Sequence, residues 1–185
     1  DITFDFSSGN KIVTLESHTE PWKVTIVDTG YETMTGGRVK RIQKYVGKEP
    51  FMLTYGDAVC DVDITRLVEF HQSHGRLATI TAVIQKQEKG ILDISEIGYV
   101  RSFREKAVTD GTPINAGYMV LQPEVFDYLH GDADVFEKAA LEQLSKDGQL
   151  MSYKHEGFWQ CMDSIREKQI LEMYWDKGQA PWKKW

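Results

Sequence analysis

Phe51-Met-Leu-Thr-Tyr-Gly-Asp57 is the stretch that decides how this chain folds. Phe51 to Tyr55 is rich in strand formers and is cut off by Gly56-Asp57. So apolar a run, without polar alternation, predicts a strand covered on both faces, as in a parallel sheet. Parallel strands need helical crossovers, and the flanking sequence supplies them.

Upstream, Val24-Thr-Ile-Val27 reads as a strand, followed by the turn Asp28-Thr-Gly30. After Met34-Thr-Gly-Gly-Arg38, the apolar positions Val39, Ile42 and Val46 recur at helical spacing, with Thr35 as the expected N-cap. Downstream, Ile64, Leu67, Val68 and His71 mark one helix face, with Asp61 or Asp63 as cap and Gly75 as stop. Leu77 to Ile84 is the clearest strand, Ile91–Ile94 and Tyr99–Phe103 form a strand pair around Gly98, and Asn115 to Leu121 is another strand. Pro123 opens a short helix, and Phe136, Ala140 and Leu144 trace a further one. Leu150 to Tyr153 is strand-like, and Ser164 to Lys177 is a final helix ended by Gly178. The alternation predicts an α/β fold with a largely parallel central sheet flanked by helices. Ligands collect at the carboxyl ends of such strands, and Asp57 stands at one.

The chain has 185 residues, enough for one domain with a core, and its composition is that of an ordinary folded protein. Its formal charge of −6 argues against a general binder of nucleic-acid backbone. No apolar run approaches a membrane span, and no signal-peptide pattern is present. Two cysteines, Cys60 and Cys161, make no disulfide framework, so a cytoplasmic protein with reduced thiols is expected. The sequence opens without Met on the strand-like Ile2-Thr-Phe-Asp-Phe6, which reads as the middle of a longer protein.

Two aspartates stand out: Asp57, and Asp163 in Gly157-Phe-Trp-Gln-Cys-Met-Asp163. Two carboxylates suit Mg²⁺, which takes one or two carboxylates plus substrate phosphate oxygens and waters. Each also reads simply, Asp57 as a turn residue and Asp163 as the N-cap of the last helix. Lys106, in Ser102-Phe-Arg-Glu-Lys106, can meet a phosphate as a point charge or stay solvated. Gly36-Gly37-Arg38 opens a helix, where free N–H groups can take an anion or merely close a turn. Asp61-Val-Asp63 is an Asp-x-Asp element of the kind metal-dependent glycosyltransferases carry. His71 and His74 are expected to be surface residues, because nothing completes a ligand set.

Taken together, the segments Glu20–Gly30, Met34–Arg38, Thr54–Asp57, Val100–Phe103 with Glu105-Lys106, Gly157–Gln160 with Met162-Asp163, and Gly178–Trp182 resemble the sugar-phosphate nucleotidyltransferases, in particular their cytidylyltransferases. The resemblance spans nearly the whole chain. It implies a Rossmann-like fold with a mixed, largely parallel central sheet, residues 1–185 forming an incomplete nucleotidyltransferase domain. The family's glycine-rich opening segment and N-terminal strands are expected to be missing, and these residues alone are expected to be inactive. The implied reaction is Mg²⁺-dependent transfer from CTP to glucose 1-phosphate, yielding CDP-glucose and pyrophosphate for surface polysaccharide such as O-antigen. By the same resemblance Asp57 and Asp163 hold the metal, Lys106 meets the sugar phosphate, and Glu105 touches the sugar. Asn115, Gly117 and Gly90 belong to the sugar pocket, while Gly36, Gly37 and Arg38 lie where the nucleotide is held. Two other readings stand beside it: a glycosyltransferase using Asp61 and Asp63, and a non-catalytic nucleotide-sugar-binding domain. Partners are small molecules, with neither nucleic acid nor membrane. The aromatic tail Pro181–Trp185 can dock on a second copy in a homo-oligomer or pack on its own domain.

Overall fold

The computed structural model describes residues 2–5, 7, 11–14, 22–85, 91–104 and 111–184. Strands β1 (Ile2–Asp5) and β2 (Lys11–Thr14) form an antiparallel hairpin. Helices α1 (Thr35–Arg41) and α2 (Gln43–Val46) precede β3 (Phe51–Thr54) and β4 (Ala58–Cys60). Helix α3 (Ile64–His74) leads to β5 (Ala78–Gln85), and β6 (Ile91–Ile94) pairs with β7 (Val100–Arg104). After β8 (Thr112–Leu121) come a 3₁₀ turn at Pro123–Tyr128, a wide helical turn at Glu137–Leu141 and α4 (Glu142–Lys146). The chain closes with β9 (Leu150–Lys154), β10 (Trp159–Cys161) and α5 (Ile165–Asp176).

The central sheet has the order β3-β8-β5-β9. β8 runs against both neighbours, and β9 runs parallel to β5. Three of the four strands, β3, β5 and β9, therefore point the same way, and β8 alone is reversed. This is a mixed α/β architecture flanked by helices, and the carboxyl ends of the three co-directional strands gather on one edge.

Register explains the core. Phe51, Leu121, Ala78 and Leu150 stand in one row across the sheet. That face meets Val125, Phe126, Leu129, Phe136, Ala140 and Leu144 from the segment after β8. Phe51 stacks on Phe126 with ring centroids 5.2 Å apart. Burying each large apolar side chain here contributes about 2–3 kcal/mol. The opposite face carries Thr79 and Val120, both buried, and α3 packs there with Leu67 and His71. The expectation that β3 is covered on both faces is corrected: β3 is an edge strand antiparallel to β8, and Met52, on this second face, remains 59% exposed.

Several local expectations hold. Asp63 caps α3, its carboxylate accepting from Arg66 N–H at 3.1 Å, and Gly75 ends the helix in the left-handed region at φ 64°. Others are corrected. Val24–Val27 forms no strand: Val24 and Ile26 are exposed, and none of the described strands pairs with the segment. Thr35 lies inside α1, and Met34 is the N-cap. His71 is buried, not on the surface. Its Nδ1 is 2.9 Å from Thr79 Oγ1 and its Nε2 is 3.0 Å from the Gln122 amide. No described helix is long and apolar enough to cross a membrane.

Candidate active site

The site grows from a small ladder that hydropathy did not announce. β4 and β10 pair antiparallel, Ala58 opposite Cys161 and Cys60 opposite Trp159. One step further along, Met162 N–H donates to the carbonyl of Asp57 at 2.7 Å. Asp57, just past the carboxyl end of β3, is thus set across from Met162, and Asp163 is the next residue. Two aspartates far apart in sequence come to the same end of one ladder.

Two hydrogen bonds fasten this ladder to the central sheet. The Trp159 indole N–H donates to Ala116 C=O at 2.9 Å, and the Tyr118 hydroxyl donates to Ala58 C=O at 2.9 Å. They place the aspartates beside the opening half of β8. There the Asn115 side-chain oxygen accepts from Gly117 N–H at 2.9 Å. Gly117 has φ 81°, and a Cβ on it would lie 2.9 Å from the Tyr55 ring, so glycine is required twice over. Tyr55 in turn donates its hydroxyl to Glu137, and burial, then that carboxylate, pushes the phenol well above its ordinary value.

The Asp57 and Asp163 side chains are exposed, and among the described residues neither pairs with a lysine, arginine or histidine. Unneutralised hard-oxygen donors at a strand's carboxyl end fit Mg²⁺. A cavity of about 280 Å³ opens beside Asp57, lined also by Ala58, Met162, Leu171, Trp175 and Trp182 among others. Asp163 does not cap the last helix. Ser164 does, in a capping box with Glu167. The signal was present as Ser164-Ile-Arg-Glu167, and it frees the Asp163 carboxylate from the competing role. Cys161, Asp163 and Glu167 each bring a ligand atom within 4.8 Å of the others. The Glu167 oxygens there are already engaged by Cys161, Asp163 and Ser164. Burial, then Glu167, pushes the Cys161 thiol up to about 11, and burial pushes Cys60 up to about 11.

The Asp-x-Asp element is spent elsewhere. Asp63 is the α3 cap. Asp61 Oδ1 accepts from Phe158 N–H at 2.7 Å and lies 3.0 Å from His155 Nε2, while Oδ2 accepts from Lys184 at 3.3 Å. Burial opposes its ionisation, but Phe158 N–H, Lys184 and His155 outweigh that and hold the carboxyl below its usual range. A Cβ on Gly157 would come within 2.3 Å of Asp61 Oδ1, which is why the aromatic turn begins with glycine. The tail closes over this turn: Trp182 packs 5.5 Å from Phe158, and Phe158 meets Tyr174 edge-on at 5.5 Å. Of the two readings of the tail, packing on its own domain is what the fold displays.

Gly36 and Gly37 are buried, and their N–H groups donate to Asp134 C=O at 2.8 and 3.2 Å. A Cβ on either would strike the 132–134 backbone at 2.7–2.8 Å. Arg38 donates to Thr29 Oγ1 at 2.6 Å and to Tyr31 C=O at 3.1 Å. Arg38 thus anchors the Thr29–Tyr31 turn, Gly36 and Gly37 tie the start of α1 to Asp134, and the two amides offered for a nucleotide phosphate are engaged within the chain. Lys106, Glu105 and Gly90 lie outside the described residues.

Comparison with known proteins identifies the family and the fold. The nucleotidyl transferase family model matches residues 14–176. A glucose-1-phosphate cytidylyltransferase from Salmonella typhi is 47% identical over 186 residues, covering 100% of this chain and 72% of the relative. The enzyme of the same name from Salmonella typhimurium gives the same figures. Among solved structures, an apo UDP-glucose pyrophosphorylase superposes with a TM-score of 0.58 at 15% identity, over 82% of this chain and 63% of that one. That likeness speaks for the fold, and the sequence matches speak for kinship. With its mixed sheet, its strand-end aspartates and a family match across most of its length, this chain belongs to the nucleotidyl transferase family.

Proposed function

We propose that the protein transfers the cytidylyl group of CTP to α-D-glucose 1-phosphate, giving CDP-glucose and pyrophosphate. The observation that carries this is the pairing of Met162 N–H with Asp57 C=O, which sets Asp57 and Asp163 at one ladder end in a chain 47% identical to glucose-1-phosphate cytidylyltransferases. A phosphate oxygen of the sugar phosphate attacks the α-phosphorus, the α–β P–O bond breaks, and pyrophosphate leaves. No protein nucleophile is needed, so the protein's part is positioning and charge neutralisation.

Asp57 and Asp163 would hold Mg²⁺. When bound, that ion neutralises the phosphate oxygens so that two anions can approach. Lys106 meets the sugar phosphate and Glu105 the sugar. Asn115 and Gly117 shape the sugar pocket, the first by fixing the second in its left-handed conformation. Gly36, Gly37 and Arg38 serve the nucleotide by fixing the start of α1, the glycines against Asp134 and Arg38 against Thr29 and Tyr31. We assign the reaction to the cytoplasm, in keeping with two free thiols, and to the supply of nucleotide sugar for surface polysaccharide.

The test is pyrophosphate release by the intact protein with glucose 1-phosphate, Mg²⁺ and each of CTP, UTP, dTTP and ATP. Release with CTP alone is expected. Release with another nucleotide would move the specificity, and none with any would refute the proposal.

A further inference from the structure

Glu167 makes more hydrogen bonds than a helix cap asks of it. In a capping box the glutamate accepts the N–H of the capping residue. Here Glu167 Oε2 does so at 2.8 Å from Ser164 N–H. It also accepts the Ser164 hydroxyl at 2.9 Å and the N–H of Asp163, one residue before the cap, at 2.9 Å. Its other oxygen accepts the Cys161 thiol at 3.3 Å. Cys161 is the last residue of β10 and stands opposite Ala58.

The consequence is a chain of consecutive restraints. Met162 N–H is held by Asp57 C=O, and the next two N–H groups, of Asp163 and Ser164, are both held by one carboxylate. The Asp163 side chain is exposed, and its carboxylate lies within 4.8 Å of the Cys161 thiol and a Glu167 oxygen. Its aim is set by its main chain and by the neighbouring Cys161 thiol; Glu167 holds both, and Asp57 holds the residue before it. A metal ligand must be held within about 0.5 Å of its productive position, and outer partners that orient ligands are worth roughly 10–100-fold in metal affinity.

We infer that Glu167 is a positioning residue of the reaction: by holding the Asp163 and Ser164 N–H groups and the Cys161 thiol, it aims the Asp163 carboxylate at the metal. The inference rests on Asp163 being a metal ligand, as proposed above. Glu167 touches neither substrate nor metal in this account. Its effect therefore falls on metal affinity first and on turnover at saturating metal only weakly.

The experiment uses the intact protein and Mn²⁺ as the probe. It measures Mn²⁺ affinity by calorimetry, the Mg²⁺ concentration for half-maximal pyrophosphate release, and the melting temperature. Glu167→Ala is expected to weaken Mn²⁺ about tenfold and to raise the Mg²⁺ requirement by a similar factor. Glu167→Gln, which keeps an acceptor oxygen, is expected to recover most of both. Ser164→Ala removes the cap hydroxyl and leaves the Asp163 bond. It is expected to lower the melting temperature while Mn²⁺ affinity stays within about twofold. Should Glu167→Ala show no melting transition, Glu167→Asp, too short to reach Asp163 N–H, carries the same expectation.

Unchanged Mn²⁺ affinity in Glu167→Ala, or an equal loss in Ser164→Ala, would reduce Glu167 to a cap and overturn the inference. Asp163→Asn separates the two possible failures. If that variant keeps full Mn²⁺ affinity, the metal assignment itself is wrong. If it loses affinity while Glu167→Ala does not, only the positioning role is wrong.

Discussion

The main-chain carbonyl of Asp57 accepts the N–H of Met162 at 2.7 Å. This bond joins the residue that leads into β4 to the residue before Asp163, and it brings two distant aspartates to one ladder end. The ladder behind it is only three residues on each strand, so its stability depends on the anchors from Trp159 and Tyr118 to the central sheet.

Asp57→Asn and Asp163→Asn should each lower turnover about a hundredfold or more, the cost of a few kcal/mol of charge stabilisation. Both side chains are exposed, so the melting temperature should move by no more than about 2 °C. Steady-state pyrophosphate release and thermal melts check the pair. Full activity in either variant would remove that aspartate from the site.

Gly117→Ala should destabilise by roughly 1–2 kcal/mol from the left-handed backbone alone, with more from the approach to Tyr55. Urea unfolding measures it. An unchanged midpoint would mean that Tyr55 yields freely and that the conformation of Gly117 is not fixed.

Burial, then the neighbouring His74, lowers the pKa of His71, and burial, then Arg76, lowers that of His74. The folded protein therefore binds these protons less readily than the unfolded chain, whose histidines titrate near 6.5. The resulting stability is fully present above that value and is lost as pH falls below it. Melting temperature should decline from pH 7 to pH 5, and His71→Gln should flatten the decline. An equal slope in the variant would assign the pH dependence to other groups.

Trp182→Ala should cost about 2 kcal/mol, roughly half the loss for a fully buried tryptophan, because Trp182 is half-buried against Phe158. Amide exchange at Phe158 should quicken with it, since Lys184 on the same tail pairs with the Asp61 carboxylate that holds Phe158 N–H. Unchanged exchange there would show that the turn stands without the tail.

The fold was legible where local chemistry and tertiary demand agree. Leu77–Ile84 is written in a β-branched run, Asn115–Leu121 in its apolar end Tyr118–Leu121, and the stop at Gly75 in a left-handed glycine. The site was legible as two aspartates, not as the ladder that unites them. β4 and β10 are too short for a period to register, and their pairing is fixed by the Trp159 and Tyr118 anchors, which are long-range. Val24–Val27 misled for the opposite reason: strand-forming residues make no strand where they are left exposed and unpaired. His71 misled because a histidine on an apolar helix face can be buried once Thr79, on the next strand, and the sequence-distant Gln122 offer partners. Gly36 and Gly37 read as a ligand cradle, whereas their tight packing serves the chain's own 132–134 loop.

The most direct test of the central claim is a crystal of the intact protein grown with Mn²⁺ and CTP, examined by anomalous scattering. One peak in contact with carboxylate oxygens of both Asp57 and Asp163, and with nucleotide phosphate, is the predicted result. A peak that avoids both aspartates, or one seated on Asp61 and Asp63, would contradict the account.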